Sequence, residues 1–242
     1  QQMNMPIAIN LSFGNTYGSH DGTSLVERFL DNAAEVGRTV ICVGSGNEGA
    51  SAGHVQGNLS ENGNLRETPL NNARFAFGNN RINDRQFVSG NNIPTAFAEL
   101  AVASYETTLN VQLWKNYADT YRVRLRSPGG EEQVLPMSGS GKVTVRMEQT
   151  DILIYLGEPT PYAVTQEIYF DFIPTETYIT PGIWTFYIEG VKIVTGQYYF
   201  YLPGQAVRNL STRFFTPSPQ ITLTIPSTAQ KTITVGAYDV TY

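Results

Sequence analysis

Cysteine is nearly missing from this chain of 242 residues: there is one, Cys42, and only two histidines. A single cysteine excludes a disulfide framework and a cysteine-built metal site. It sits in the apolar run Thr39-Val40-Ile41-Cys42-Val43, where a small buried thiol is the expected role. Charge is also sparse, at 15 % of residues with a net charge of -5, so no basic surface exists to neutralise phosphates, and nucleic acid is not an expected partner. No apolar run approaches the roughly 18 residues of a membrane span, and Gln1-Gln2-Met3-Asn4 does not begin a secretory leader. What the chain does have is 41 % hydrophobic and 12 % aromatic residues, ample for a buried core.

The period of the apolar residues changes along the chain. At the start, a strand at Pro6-Ile7-Ala8-Ile9-Asn10-Leu11 is followed by a helix from Ser24 and a second strand at Thr39 to Val43, a βαβ unit in outline. In the helix, Leu25, Phe29, Leu30, Ala33, Ala34 and Val36 share one face, Glu27, Arg28, Asp31 and Glu35 the other, and Gly37 suits the C-cap. From about Ala50 to Asn92 the texture is Asn- and Gly-rich with little periodicity, reading as a long loop with one candidate strand at Arg74-Phe75-Ala76-Phe77.

From about Pro94 the period is two. Tyr121 to Arg126 and Lys142 to Met147 alternate as half-buried antiparallel strands do. Further strands are expected at Thr108 to Trp114, Asp151 to Leu156, Ile168 to Ile173, Ile183 to Glu189, Tyr198 to Leu202 and Gln220 to Ile225. Turn sequences such as Ser127-Pro128-Gly129-Gly130 and Thr180-Pro181-Gly182 separate them. Strands at this spacing predict a β-sandwich or jelly roll. The last stretch ends in a β-branched run, Thr232 to Val235, that suits the first layer better than the sandwich. The expected class is therefore α/β, a partial parallel sheet carrying an inserted all-β sandwich. The expected division is 1–57 with 226–242 as the α/β core, 58–93 as the loop and 94–225 as the sandwich.

Three segments carry a resemblance. Ala8-Ile9-Asn10-Leu11-Ser12-Phe13-Gly14 ends in Ser-x-Gly; Val43-Gly44-Ser45-Gly46-Asn47-Glu48-Gly49 holds Gly-Asn-Glu-Gly; and Ile225-Pro226-Ser227 is followed by Thr232-Ile233-Thr234-Val235-Gly236-Ala237. In this order they resemble the subtilisin-like serine proteases, over roughly residues 1–55 and 226–242. The inserted sandwich, with Pro6 to Ser24, is similar to a subgroup of bacterial subtilases that includes the clostridial spore-germination proteases.

The resemblance implies that Asn47 donates its side-chain amide to the oxyanion of amide hydrolysis, charge that a preorganised donor stabilises in the transition state. It implies that Ser12, Phe13 and Gly14 pair with an extended peptide or protein substrate and form one wall of the pocket for the residue before the scissile bond. Gly44, Ser45 and Gly46 would form the opposite wall, with Glu48 at the rim, where a carboxylate suits basic side chains. The other reading of Asn47 is a cap or turn residue in a Gly-rich loop, and Phe13 could equally be core.

Gly22-Thr23-Ser24, with His20 and Asp21 beside it, copies the family's nucleophile segment, but it precedes Asn47 and is followed by Leu25-Val26, so a helix N-cap accounts for it. No match to the family's Asp-x-Gly or His-Gly-Thr-His motifs occurs. By resemblance the triad lies outside the chain, which is then a segment, inactive alone, of a protease acting outside the cell, on its surface or in spores. Its own prodomain is a further implied partner, and no cofactor is implied. His54 has no second ligand at zinc spacing, so no metal is expected; Asn79 to Asp84 could offer oxygen ligands to calcium without fixing a site. Two rivals remain, a catalytically dead subtilase and a module that binds carbohydrate or protein through Trp114, Trp184 and Tyr198-Tyr199-Phe200-Tyr201.

Overall fold

The computed structural model describes residues 5–36, 38–59, 93–137 and 142–237. The candidate strand at Arg74 to Phe77, the calcium-suited loop at Asn79 to Asp84 and the C-cap glycine at 37 lie outside the described residues.

The chain opens with β1 (Ile7–Leu11), α1 (Leu25–Glu35) and β2 (Thr39–Gly44). A 3-10 turn at Glu48–Ala50 leads into β3 (His54–Asn58). There follow β4 (Thr95–Val102), β5 (Leu109–Asn116), β6 (Thr120–Arg126), β7 (Glu132–Leu135), β8 (Lys142–Met147) and β9 (Thr150–Leu156). The chain closes with β10 (Thr165–Pro174), β11 (Gly182–Lys192), β12 (Gln197–Tyr201), β13 (Arg213–Phe214) and β14 (Ile233–Val235). Three sheets result, with orders β1-β2-β14, β3-β12-β5-β10-β9-β8 and β13-β4-β11-β6-β7.

This corrects the expected fold class. Among the described residues, 46 % are in strands and 7 % in helix, spread over three sheets, so the chain is mostly β and not α/β. The opening βαβ pattern is strong to the eye, but it supplies one helix and a three-stranded sheet, while the period-two region supplies two larger antiparallel sheets.

Those two sheets face each other, and the side chains of alternate positions meet between them as sandwich packing requires. Val111, Leu113, Ile152, Ile154, Ile168, Phe170, Phe172 and Phe200 from the six-stranded sheet are buried with Leu100, Val123, Leu125, Trp184, Phe186 and Ile188 from the five-stranded one. Rings interlock at the centre: Phe186 lies 5.2 Å from Phe170 and from Phe200, and Trp184 meets Phe172 edge-on at 5.2 Å. The Trp184 indole N–H is satisfied by Thr180 O at 3.0 Å, which burying an indole demands. These burials take the rings named for a carbohydrate-binding module into the core: Trp184, Tyr198, Phe200 and Tyr201 are buried, and only Trp114 and Tyr199 are half-buried.

In the small sheet β1 and β2 run parallel, with Leu11 opposite Val43, and β14 pairs in parallel with the other edge of β2. Leu30, Ala33 and Ala34 of α1 pack on Ile9, Leu11, Ile41 and Val43. The amphipathic reading of α1 needs correcting in part: Leu25 and Phe29 are 70 % exposed, whereas Glu27 is fully buried. Glu27 is held by a capping box with Ser24, whose backbone N–H donates to Glu27 Oε2 at 3.2 Å, and by the Thr228 hydroxyl on Oε1. Anchoring Glu27 rotates the helix so that the Leu25–Phe29 side faces outward.

The small sheet and the sandwich meet along a seam. The β1–α1 loop lies on the outer face of the six-stranded sheet, where Thr16 Oγ1 donates to Leu202 O (2.8 Å) and Gln112 Nε2 donates to Thr16 O (3.3 Å). Gln220 to Ile225 is not the expected strand. Only Ile225 makes a bridge, exchanging backbone bonds with Asn15, because the segment crosses the seam and finds its partners in turns.

Candidate functional site

The parallel pairing of β1 with β2 places the ends of the two strands side by side, which is why segments about thirty residues apart in sequence converge. Beyond β1, Ser12, Phe13 and Gly14 are exposed, Phe13 at 56 %. Beyond β2, Gly44 sits so close that a Cβ on it would lie 4.0 Å from Ser12 Cα, and the chain continues through Ser45 and Gly46 to Asn47. Gly46 has φ +83°, a left-handed conformation that glycine accepts and other residues resist. It turns the chain so that Asn47 enters the 3-10 turn.

Asn47 is the N-cap of that turn with φ -121° and ψ 18°, and its side chain makes no capping hydrogen bond. It is exposed. The cap reading of Asn47 is therefore not what its carboxamide does in this structure. Its backbone carbonyl accepts from Gln205 Nε2 at 3.1 Å, a partner from the loop after β12.

Glu48 is half-buried and faces the same loop. Its Oε1 accepts from the Gln205 N–H at 3.2 Å. Close by, buried Arg208 donates to Pro203 O (2.9 Å), Ser51 O (2.6 Å) and Thr212 O. Burial lowers the Arg208 pKa, and Glu48 and Glu106 oppose that by their charge. Thus a loop of the sandwich grips the backbone on both sides of Glu48, and the Glu48 carboxylate is committed to that grip. Sequence reasoning missed Gln205 and Arg208, and no local signal could have found them, since they act across more than 150 positions.

A third segment closes the arrangement. Thr224 N donates to Ser45 O (3.1 Å) while Ile225 N donates to Asn15 O (2.8 Å), so residues 224–225 bridge the two glycine-bearing segments.

The Ser24 segment behaves as its cap role demands. Ser24 Oγ donates to Glu27 Oε2 at 2.6 Å. Asp21 accepts from Ser19 Oγ (2.5 Å), Thr23 N (3.0 Å) and Thr23 Oγ1 (2.5 Å). His20 is buried, with Nδ1 2.6 Å from Leu223 O and Nε2 3.2 Å from Thr16 O. Both its ring nitrogens meet backbone, so these three residues form no relay.

His20 and His54 instead flank Tyr201 in the seam. The His20 ring stacks on Tyr201 at a centroid distance of 4.0 Å, and the His54 ring also stacks on Tyr201, at 4.4 Å. Burial is the main cause that lowers both histidine pKa values, His54 to about 4, against the opposing hydrogen bonds to Leu223 O and Thr16 O for His20 and to Ser218 O and Gln220 for His54. Unfolded histidines titrate near 6.5, so below that pH the unfolded chain takes up protons that the folded chain refuses. Stability is expected to be full above pH 6.5 and to fall as the pH drops towards 4. For His54 the loss is on the order of 3 kcal/mol. Urea midpoints from pH 7.5 to 4.5 check this: His54→Phe, which keeps a stackable ring, should show a shallower fall than the parent sequence, and an unchanged slope would remove His54 from the account.

Among the described residues, no group of three His, Cys, Asp or Glu side chains could hold a metal, and no helix is long and apolar enough to cross a membrane. Cys42 is half-buried and free.

Fold and site together define a mostly β chain in which an exposed strand end lies beside a glycine-asparagine loop held by the sandwich. No family model and no curated protein matches this chain. Among solved structures it is similar to the CspB protease of Clostridium perfringens, with a TM-score of 0.76 and 25 % identity. The superposition covers 98 % of this chain and 43 % of that one, so the chain spans less than half the length of this structural neighbour.

Proposed function

We propose that the chain is a segment of a subtilisin-like serine endopeptidase, in which Asn47 stabilises the oxyanion and Ser12, Phe13 and Gly14 pair with the extended substrate. The observation that carries this reading is the state of Asn47: an exposed carboxamide not used as a cap, on a backbone fixed from both sides, beside an exposed strand end. The similarity to a clostridial protease over nearly the whole chain supports it. So does the uncovered apolar surface of the small sheet and helix, where Val40, Ile233, Val235, Leu25 and Phe29 are exposed as they would not be in a finished domain.

In this mechanism a serine, activated by a histidine that an aspartate orients, attacks the peptide carbonyl, and these three groups come from the rest of the protein. The carbonyl oxygen gains charge as the tetrahedral intermediate forms. A side-chain amide already in place then stabilises that charge without reorganisation cost. The substrate backbone would add a strand beside Ser12 to Gly14, setting the register of the scissile bond.

The test is covalent labelling. A fluorophosphonate probe should label the full-length protein rapidly and leave the isolated 242-residue chain unlabelled. A folded full-length protein that resists the probe would point to the catalytically dead alternative.

A further inference from the structure

We propose that Thr224 is the floor of the pocket for the side chain preceding the scissile bond, and that it restricts this position to short uncharged side chains such as alanine and serine. The inference rests on the protease reading above, because only that reading makes the space between residues 12–14 and 44–46 a substrate pocket.

The geometry comes from the two glycines. A Cβ placed on Gly14 would fall 2.7 Å from Thr224 Cβ and overlap its hydroxyl oxygen. One placed on Gly46 would fall 2.9 Å from the same Cβ and overlap both branches of the side chain. One threonine thus touches both walls at once, and the glycines are bare because Thr224 occupies the room their side chains would need. The threonine cannot swing aside freely. Its backbone is bonded to Ser45 O, its own carbonyl accepts from Ser227 N (2.7 Å) and Ser227 Oγ (2.6 Å), and a β-branched side chain has few rotamers to choose from.

Thr224 is 4 % exposed, and its Oγ1 is buried with no hydrogen-bond partner among the described residues. Because the threonine fills the space between the two walls, a long aliphatic or aromatic substrate side chain would have to displace it, whereas a short one would not. Charge gives no counter-argument for lysine or arginine, since the Glu48 carboxylate already accepts the Gln205 N–H and lies near Arg208.

The experiment uses the full-length protein and peptide substrates that differ only in the residue before the scissile bond: alanine, serine, leucine, phenylalanine and lysine. The expected profile has kcat/KM for alanine and serine above that for phenylalanine and lysine by roughly 100-fold or more, since each misfit methylene in a pocket is worth about 10–200-fold. Thr224→Gly should raise kcat/KM for leucine and phenylalanine by about 10-fold or more while alanine changes by less than about threefold. Thr224→Ser, which keeps the hydroxyl and sheds one methyl group, guards against loss of folding and should give an intermediate profile. A protein that the fluorophosphonate labels but that cleaves after phenylalanine or lysine as well as after alanine overturns the pocket assignment alone. A protein that remains unlabelled overturns the protease reading, and the pocket assignment falls with it.

Discussion

On the proposed protease function, replacing Asn47 by alanine in the full-length protein is expected to lower turnover by roughly 10²–10³, with KM nearly unchanged. That magnitude belongs to the oxyanion-hole asparagine of subtilisin and is carried over by similarity. Its physical basis is differential: the amide gains little from a ground-state carbonyl and much from a developing oxyanion, so its loss falls on the chemical step. The variant should fold as the parent does, because the Asn47 side chain caps nothing, and the bonds that fix the loop run through its backbone carbonyl to Gln205 and through Glu48. Steady-state kinetics with one peptide substrate, beside a melting curve, separates the two effects. An unchanged kcat in a folded variant would reassign Asn47 to a purely structural place in the loop.

Truncating Phe186 to alanine is expected to cost about 3–5 kcal/mol, the range for deleting a buried aromatic side chain, because transfer and cavity losses add. Phe186 is fully buried and stands between sheets, touching Phe170, Phe200 and, at 6.3 Å, Phe172. Close-packed β side chains on three strands, β10, β11 and β12, cannot collapse into the void without dragging their backbones along. For a chain of this length the melting temperature should drop by roughly 10 °C, read by calorimetry or circular dichroism. A fall of only a degree or two would mean that the sandwich repacks around the gap.

The two predictions fall on parts of the molecule that differ in how legible they were. The sandwich strands at Tyr121 to Arg126 and Lys142 to Met147 could be read from alternation, because inner and outer faces there differ sharply in polarity. β4 could not. Its inward residues include Ala96 and Ala98, small and weakly hydrophobic, while the bulky Phe97 points outward at 53 % exposure. The inner face there needs small side chains to admit the large rings opposite, a requirement set by a partner sheet far away in sequence. The buried face of α1 is illegible for a similar reason, since a buried Glu27 tied to Ser24 and Thr228 decides the helix rotation and half of the apolar stripe is left outside.

At the site, the local motifs at Ser12 to Gly14 and Gly44 to Glu48 were visible as strings, because strand ends and glycine turns are short-range features with short-range chemistry. The opening βαβ outline also led to the wrong class, since a vivid local pattern says nothing of its share of the whole. By itself, then, the sequence determined the strongly alternating strands such as Tyr121 to Arg126 and Lys142 to Met147, the helix cap at Ser24 and the strand-end motifs, all properties of residues within a few positions of each other. Tertiary structure alone decided which sheets dominate, where Thr224 meets Gly14 and Gly46, how Gln205 and Arg208 grip the Asn47 loop, and that His20 and His54 share Tyr201. Each of these depends on backbones brought together across a hundred or more positions, and distance-dependent contact energies have no signature in a string until the chain is folded.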